Sequence, residues 1–239
     1  MSTPARSDES PLVVAVDGPS GSGKSTVSRE VARRLGLSYL DTGAMYRALA
    51  WWCLEREVDL HDQVATAAEG ARVPLVLCTD PEQTCVLLDG VDVSAQIRTS
   101  LVSERVSLVA TNLTVREQMR VRQREIIAAA PVGMVAEGRD ITSVVAPDAD
   151  VRVLLTATER ARLSRRAREL HGSDDAAALA ATHDQVVRRD RDDSTVAQFA
   201  QAGEGVVTID SSVLGFEQVV EAVLALVEAR TGRRPVLAS

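Results

Sequence analysis

The sequence predicts an α/β protein in which a parallel sheet of five strands carries helices on both faces. Two observations indicate this class. Short apolar runs rich in β-branched residues alternate with longer segments of helical periodicity along most of the 239 residues, as in a doubly wound sheet. In addition, the first apolar run leads through a glycine-rich turn into a helical segment, which is how a βαβ unit begins. Ligands of such folds bind beyond the carboxyl ends of the strands.

Each predicted strand is a short run that can be buried on both faces. The five runs are residues 12–16, 38–40, 133–137, 151–155 and 205–209. Apolar residues at helical spacing predict helices at 26–35, 44–57, 158–170 and 216–230, with further helical structure between 101 and 130. Residues 172–181 are small, polar and rich in alanine, and we expect a mobile loop there.

A change of texture near residue 73 predicts a small antiparallel insertion. Short apolar runs at 73–78, 84–88 and 91–93 are joined by turns, and Asp89-Gly90 is a strong signal for a two-residue hairpin. We therefore expect an inserted β subdomain at residues 62–97.

At the start of the sequence, residues 1–10 are polar and lack the apolar region of a secretory signal, so we expect a short disordered tail.

Composition excludes several classes of protein. Hydrophobic residues make up 45% of the chain, and no apolar run approaches the length of a membrane span. The net charge of −7 argues against a protein that coats nucleic acid. The three cysteines, Cys53, Cys78 and Cys85, form no C-x-x-C pair. We therefore expect free thiols in a reducing cytosol, with neither a disulfide framework nor a zinc site.

Residues 18–25 read Gly-Pro-Ser-Gly-Ser-Gly-Lys-Ser and fit the phosphate-loop pattern between a predicted strand and a predicted helix. Backbone N–H groups of such a loop, together with the helix N-terminus, form a nest for phosphates. Lys24 can bridge the β- and γ-phosphates of ATP, and the Ser25 hydroxyl can ligate Mg²⁺. The expected ATP contacts are Gly18, Pro19, Ser20, Gly21, Ser22, Gly23, Lys24, Ser25 and Thr26.

Basic residues point to the same loop. Lys24 is the only lysine among 27 lysines and arginines. A chain that uses arginine wherever it serves keeps lysine where a compact ammonium on a flexible stem is required. A phosphate loop alone, however, does not distinguish a kinase from a nucleotide-dependent switch or ATPase.

Two further motifs narrow the choice. They are Asp41-Thr42-Gly43-Ala44-Met45-Tyr46-Arg47 and Glu137-Gly138-Arg139-Asp140. With the phosphate loop, in this order, they resemble the bacterial cytidylate kinase family from about residue 12 to residue 230. That family has a P-loop kinase core with five parallel strands, a monophosphate-binding region with a β insertion, and a mobile lid. The resemblance implies a core at 11–61 and 98–239, with the lid near 158–196.

The resemblance also implies an activity and its conditions. An enzyme of pyrimidine metabolism would use ATP and Mg²⁺ to phosphorylate CMP or dCMP. Apart from the resemblance, we expect a cytoplasmic monomer without nucleic-acid or membrane partners. Thr42 and Arg47 would contact the acceptor phosphate, Tyr46 would form a wall of its pocket, and Arg139 would be a second phosphate clamp. The implied cytosine-reading group is Ser107, Arg116 and Asp140.

Residues 189–194, Arg-Asp-Arg-Asp-Asp-Ser, resemble the family's R-D-x-x-D-S motif. The resemblance implies that Arg189 and Asp193 contact ribose or phosphate. It also implies that two lid arginines close over the transferring phosphoryl group, namely Arg162 and Arg166. One departure is clear, because many members carry an arginine where this chain has Val196. Either another arginine substitutes for it, or acceptor binding is weaker or altered.

Alternatives remain open at this point. The acceptor could be UMP, AMP, dTMP or shikimate, or the protein could be a nucleotide-dependent switch ATPase, although the chain has no guanine-reading N-K-x-D sequence. Arg47 and Arg139 could instead form structural ion pairs. Ser107 and Arg116 could lie on a solvated helix face, and the lid arginines could be surface charge.

Overall fold

The computed structural model describes residues 11–236, apart from the side chains at 170, 184 and 185. The predicted tail at residues 1–10 lies outside this range. Eight strands form two sheets: β1 (Leu12–Asp17), β2 (Ser38–Asp41), β3 (Leu75–Leu77), β4 (Val86–Leu88), β5 (Val91–Asp92), β6 (Gly133–Gly138), β7 (Val151–Thr156) and β8 (Val207–Asp210).

The α-helices of the described chain lie between and around these strands. They are α1 (Lys24–Leu35), α2 (Thr42–Glu55), α3 (Gln63–Arg72), α4 (Ser100–Ala110), α5 (Leu113–Ala128), α6 (Glu159–His171), α7 (Ala176–Ser194) and α8 (Phe216–Thr231). A short 3-10 helix occupies Gln96–Arg98, and a single π-helical turn occupies Ile141–Val145. Within residues 11–236, no helix is both long and apolar enough to cross a membrane.

The central sheet confirms the predicted fold class. Its five strands are all parallel, in the order β2-β6-β1-β7-β8. The register pairs Asp17 with Gly138 and Asp41 with Glu137. The carboxyl ends of β1, β2 and β6 therefore meet at one edge, which brings the three sequence motifs together.

Helices cover both faces of the sheet because the strands are apolar on both sides. Val14 and Val16 of β1 pack with α1 and α8 in one core. Ala15, between them, packs in a second core with α2, α4 and α5. Alternate residues of a strand point to opposite faces, so this continuous apolar run can fill two cores at once.

The predicted hairpin and small antiparallel sheet are present. β3, β4 and β5 pair in sequence, and Leu88 lies opposite Val91 across the two-residue turn. Asp89 and Gly90 have φ angles of 52° and 77°, as a type I′ turn requires. Helix α3 precedes the three strands inside residues 62–97, capped by Asp62. The division of the chain into a core, a 62–97 insertion and a lid stays a prediction.

The expectation of free thiols is wrong for two cysteines. Cys78 and Cys85 form a disulfide, with Cα atoms 4.9 Å apart. They lie opposite one another just beyond the paired residues of β3 and β4, where Cys78 N donates to Cys85 O at 3.0 Å. This proximity arises from the hairpin register, which a C-x₆-C spacing does not reveal. Cys53 is a free, buried thiol, as expected.

The expected mobile loop at residues 172–181 is also wrong in large part. Helix α7 begins at Ala176, and the Asp175 carboxylate caps it by accepting from Ala177 N and Ala178 N at 3.0 and 2.9 Å. Only the first four residues connect α6 to α7. Alanine has the highest helix propensity, so an alanine-rich tract behind an aspartate cap favours a helix over a loop.

Candidate functional site

A cavity of about 970 Å³ lies at the carboxyl edge of the central sheet. The phosphate loop forms one part of its wall, and the residues after β2 and β6 form another. Most predicted site residues line it: Ser20, Gly21, Ser22, Gly23, Lys24, Ser25, Thr26, Thr42, Tyr46, Arg47, Arg116, Arg139, Asp140, Arg166, Arg189 and Asp193. Gly18, Pro19, Ser107 and Arg162 are not among the lining residues.

Three arginines hold the backbone of the phosphate loop. Alternate carbonyls of the loop accept from three guanidinium groups. Arg139 donates to Gly18 O, Arg162 to Ser20 O at 2.9 Å and Arg165 to Ser22 O at 3.2 Å. These carbonyls thus have donors, while the N-cap of α1 is Gly23, which has no side chain to cap the helix. The first N–H groups of α1 therefore suit a bound anion.

Lys24 and Ser25 meet a buried carboxylate at the end of β6. The Ser25 hydroxyl donates to Glu137 Oε1 at 2.6 Å, and Tyr39 OH donates to the same oxygen at 3.2 Å. Lys24 Nζ lies 3.9 Å from Glu137 Oε2. Burial, assisted by the Arg139 charge, lowers the pKa of Lys24 to about 8. Burial and the Asp41 charge raise the pKa of Glu137 above its ordinary value.

The residues beside Lys24 suit Mg²⁺. The ion prefers oxygen ligands and keeps several waters and substrate phosphates in its shell, so it needs few protein ligands. The Ser25 hydroxyl and the adjacent Glu137 carboxylate provide oxygens next to the phosphate loop. No cluster of three or more histidine, cysteine, aspartate or glutamate side chains fit for a metal occurs within the described residues.

The part of the cavity predicted to hold the acceptor is built on the start of α2. Asp41 caps this helix by accepting from Ala44 N at 2.9 Å and also accepts from Arg47 Nη2 at 2.8 Å. Burial would raise the pKa of Asp41, but Arg47 and Arg98 outweigh it, and the pKa is lowered. Thr42 Oγ1 donates to Glu137 O at 2.7 Å. A Cβ on Gly138 would lie 2.5 Å from that hydroxyl, so the strand end needs glycine there.

The cavity gathers more positive charge than its carboxylates neutralise. Lys24 and four arginines line it close together, namely Arg47, Arg139, Arg166 and Arg189. Burial lowers the pKa of Arg189 to about 10. The Asp193 charge opposes this effect, and the three other arginines add to it. The Nε groups of Arg47 and Arg189 are buried without a hydrogen-bond acceptor in the part of the chain that the structure describes. Buried, unsatisfied donors of this kind indicate an anion site.

Arg139 is anchored but keeps free donors. Its Nε donates to Asp193 Oδ2 at 3.0 Å, its Nη2 to Asp190 Oδ1 at 3.0 Å, and its Nη1 to Gly18 O. Its guanidinium also stacks on Phe199, 4.5 Å from the ring centroid. Three of its five N–H groups are thereby used, which leaves two that can donate to an anion. Phe199 comes from the segment in which Val196 departs from the family pattern.

The predicted base-reading residues are brought together only in part. Arg116 is buried, and its Nη2 donates to Asp140 Oδ2 at 2.5 Å. Arg120 donates to the same oxygen at 3.2 Å. Ser107 lies on α4, but the lining residues of that helix are Ser103, Val106 and Ala110. The role of Ser107 stays a prediction that the cavity geometry does not favour.

The two predicted lid arginines differ in position. Arg166 lines the cavity and pairs with Glu169 at 2.8 Å. Arg162 instead donates to Ser20 O and pairs with Asp190, so it grips the outside of the phosphate loop.

Three supporting groups have no role in the predictions made from the sequence, namely Glu137, Asp190 and Phe199. Glu137 was visible as an acid at the end of an apolar strand, and Asp190 was visible inside the quoted lid motif. Nothing in the sequence indicated that Phe199 would stack on Arg139.

Comparison with known proteins agrees with this geometry. A family model described as Cytidylate kinase matches residues 14–229. A cytidylate kinase of Streptomyces griseus is 44% identical over 232 residues, covering 96% of this chain and 98% of that protein. A cytidylate kinase of Cutibacterium acnes is 48% identical over 219 residues, covering 91% and 96%. A solved structure of an uncharacterized protein from Eubacterium ventriosum ATCC 27560 is similar in fold, with a TM-score of 0.50 at 12% identity over 92% of this chain and 99% of that chain. The chain therefore belongs to the cytidylate kinase family.

Proposed function

We propose that the protein transfers the γ-phosphoryl group of ATP to CMP or dCMP, giving ADP and CDP or dCDP. One observation carries this proposal: a single cavity joins the phosphate loop to a second anion site and to the Arg116–Asp140 pair. Two phosphate-bearing ligands can thus lie in one space with their phosphates between Lys24, Arg47 and Arg139.

The transfer needs no general base from the protein. An oxygen of the acceptor phosphate, already ionised near neutral pH, forms the new bond to the γ-phosphorus. The bond from that phosphorus to the β–γ bridging oxygen breaks, and ADP leaves with the electron pair. The chain contributes positioning and neutralisation of charge through Lys24 and the arginines of the cavity.

Ser25 and Glu137 are the residues that would hold Mg²⁺ beside the ATP phosphates. When bound, the ion neutralises charge on the β- and γ-phosphates. Lys24 supplies a second positive charge to the same phosphates. The α6–α7 helices, which bear Arg166 and Arg189, exclude water that would otherwise compete as acceptor.

Discrimination between bases is assigned to Asp140 and Arg116. The Asp140 carboxylate would accept from the exocyclic amine of cytosine, while Arg116 would donate to the ring carbonyl. Uracil carries a carbonyl in place of that amine. This carbonyl would face the carboxylate and could not donate a hydrogen bond to it. Both side chains line the cavity and already contact each other.

The remaining parts of the proposal concern the setting of the enzyme. They are a cytoplasmic location, a monomeric state, a role in pyrimidine nucleotide metabolism, and no nucleic-acid or membrane partner. The net charge of −7 supports the expectation that nucleic acid is not a partner.

The decisive test measures ADP release from ATP and Mg²⁺ with a panel of acceptors: CMP, dCMP, UMP, AMP, dTMP, shikimate and none. We expect strong release with CMP and dCMP, weak release with UMP and none without acceptor. Such a result would also show that Val196 is tolerated. Release that ignores the acceptor would instead indicate an ATPase or switch.

The control for this test is Lys24→Met, which removes the phosphate-bridging charge at a position inside the cavity. We expect phosphoryl transfer to fall by about 100-fold or more while thermal unfolding shows a folded protein. Turnover close to that of the unaltered chain would contradict the mechanism.

A further inference from the structure

Asp190 of α7 lies where three separate segments of the site meet. Its Oδ1 accepts from Ser20 N of the phosphate loop at 2.9 Å and from Arg139 Nη2, beyond β6, at 3.0 Å. Its Oδ2 accepts from Arg162 Nη1 of α6. One carboxylate therefore connects both lid helices, the phosphate loop and a phosphate-binding arginine. Asp190 does not line the cavity, so it acts through these neighbours.

The contact with the phosphate loop uses both backbone groups of Ser20, the N–H and the carbonyl. Ser20 N donates to Asp190, and Ser20 O accepts from Arg162 Nη1 at 2.9 Å. Asp190 and Arg162 also pair with each other. The pair thus forms a clamp on Ser20, in which the carboxylate takes the donor and the guanidinium takes the acceptor.

The backbone of α6 is close enough to make this clamp tight. A Cβ on Gly21 would lie 2.7 Å from the Arg162 carbonyl oxygen, and Gly21 has a φ of 75°. Glycine is therefore required where the helix rests on the loop. Two observations, the shared hydrogen bonds at Ser20 and the close approach at Gly21, place the α6–α7 helices directly on the phosphate loop.

The charge of Asp190 also determines how Arg139 is aimed. Asp190 and Asp193 hold Nη2 and Nε of Arg139, while its remaining donors can face the cavity. Without the Asp190 charge, Arg139 and Arg162 would lose the counterion that they share. The Nη2 of Arg139 would then have no fixed acceptor, so its guanidinium would be aimed less firmly at the acceptor phosphate.

We propose that Asp190 is a positioning residue that latches the α6–α7 lid onto the phosphate loop and aims Arg139, so that lid seating and phosphate gripping occur together. The kinetic part of this inference rests on the proposed function. The structural part does not, because these contacts join residues of the chain itself.

The test compares Asp190→Asn with Asp192→Asn. The first substitution keeps the size of the side chain and removes its charge. The second does the same one half-turn along α7, at a side chain whose ion pair is with its neighbour Arg191 at 3.7 Å. Hydrogen–deuterium exchange without nucleotide then reports peptides covering residues 18–24. We expect faster exchange in Asp190→Asn, and exchange like that of the unaltered chain in Asp192→Asn.

Kinetics provide the second measurement. We expect Asp190→Asn to lower kcat by about 10- to 100-fold, to raise KM for CMP, and to raise the amount of ATP hydrolysed per phosphoryl group transferred. A purely structural role would lower the amount of active protein without changing this ratio. If the unaltered chain phosphorylates no monophosphate, the proposed function fails, and the exchange measurement still decides whether the latch exists.

A double-mutant cycle with Arg162→Gln completes the design. If Asp190 and Arg162 act as one clamp, residues 18–24 of the double variant will exchange hydrogen no faster than those of the faster single variant. Additive effects would overturn the clamp, as would unchanged exchange in Asp190→Asn. Should Asp190→Asn fail to fold, Arg162→Gln alone tests the same contact through exchange at residues 18–24.

Discussion

At the residue scale, the charge on Lys24 is the feature that pH can remove. Its pKa of about 8, lowered by burial and Arg139, means that the ammonium begins to lose its proton just above neutral pH. The charged form binds phosphates, and bound ATP raises the pKa again. ATP affinity should therefore approach its full value about one pH unit below this pKa and fall as pH rises through it, by at most about tenfold per unit.

This prediction is measured as the dissociation constant of a non-hydrolysable ATP analogue between pH 7 and 9.5. Lys24→Arg is the matched control because an arginine keeps its proton throughout this range. Its pH dependence should be flat even if its affinity is lower. A flat profile in the unaltered chain would show that Lys24 stays protonated.

Asp140 gives a prediction about selectivity. Asp140→Ala removes the acceptor proposed for the exocyclic amine of cytosine and also frees Arg116 and Arg120. The ratio of kcat/KM for CMP over UMP should fall by about 10- to 100-fold, since one lost polar contact costs about 1–3 kcal/mol. Asp192→Ala, on α7, is the control and should keep the ratio. An unchanged ratio in Asp140→Ala would remove this residue from base reading.

Single residues were predictable where a motif fixes the backbone around them. Lys24 and Ser25 follow from the phosphate loop, and Arg139 from its place after a buried strand. The role of Ser107 stays a prediction, because helix rotation decides which side chains of α4 face the cavity. Ser103, Val106 and Ala110 share that face of α4, and sequence spacing alone does not orient the helix.

At the element scale, the β3–β4 hairpin is stabilised by more than the backbone hydrogen bonds between its two strands. The Cys78–Cys85 disulfide closes a loop whose Thr79 carbonyl accepts from Tyr39 N, in the central sheet, at 2.8 Å. By loop-closure entropy, a bridge over a sequence separation of 7 residues stabilises the fold by roughly 2 kcal/mol.

The disulfide prediction is measured by denaturant unfolding with and without a reductant. Reduction should lower the free energy of unfolding of the unaltered chain by about 2 kcal/mol. The double variant Cys78→Ser, Cys85→Ser should show the lower stability in both conditions. Cys53, a free thiol, remains in both proteins. The bridge would be contradicted if the reductant had no effect and mass spectrometry detected free thiols at Cys78 and Cys85 before the reductant was added.

Elements with a strong local signal were predicted best. The Asp89-Gly90 turn could be predicted because an Asp-Gly pair favours the positive φ angles that both residues adopt. The start of helix α7 is harder to predict, because small polar residues and alanine are compatible with a loop until Asp175 is identified as a cap. The disulfide depends on strand register, a pairing between residues that the sequence pattern leaves open.

At the scale of the whole molecule, one cavity spans the phosphate loop and the arginines that follow β2 and β6, the two proposed phosphate sites. A ligand that joins adenosine and cytidine through five phosphates should therefore occupy both halves at once. It should raise the unfolding temperature more than ATP and CMP together at the same concentration, because the second half binds as an intramolecular event.

Arg47→Met is the control for this ligand. It removes a cation of the acceptor half and leaves the phosphate loop intact. The extra stabilisation by the joined ligand should shrink toward that of ATP alone. If the unaltered chain gains no more from the joined ligand than from ATP, the two halves do not act as one site.

The sequence predicted the layered fold but not the whole arrangement. Alternating strands and helices imply a parallel sheet, and each core strand was placed to within about two residues, as for the 205–209 run and β8 at Val207–Asp210. How α6 and α7 seat on the phosphate loop depends on contacts across more than a hundred residues, such as Ser20 with Asp190. Local patterns carry no information about such distances.

The lone lysine makes the phosphate loop chemically addressable. Amine-directed reagents have one side-chain target in 239 residues, and an amine with a pKa of about 8 is unusually nucleophilic near neutral pH. Reductive methylation with isotope-labelled formaldehyde would place a single pair of NMR-visible methyl groups beside the nucleotide phosphates. The amino terminus of the chain would give the only other labelled signal. Changes in the Lys24 signal would therefore report the state of the site without interference from any other side chain.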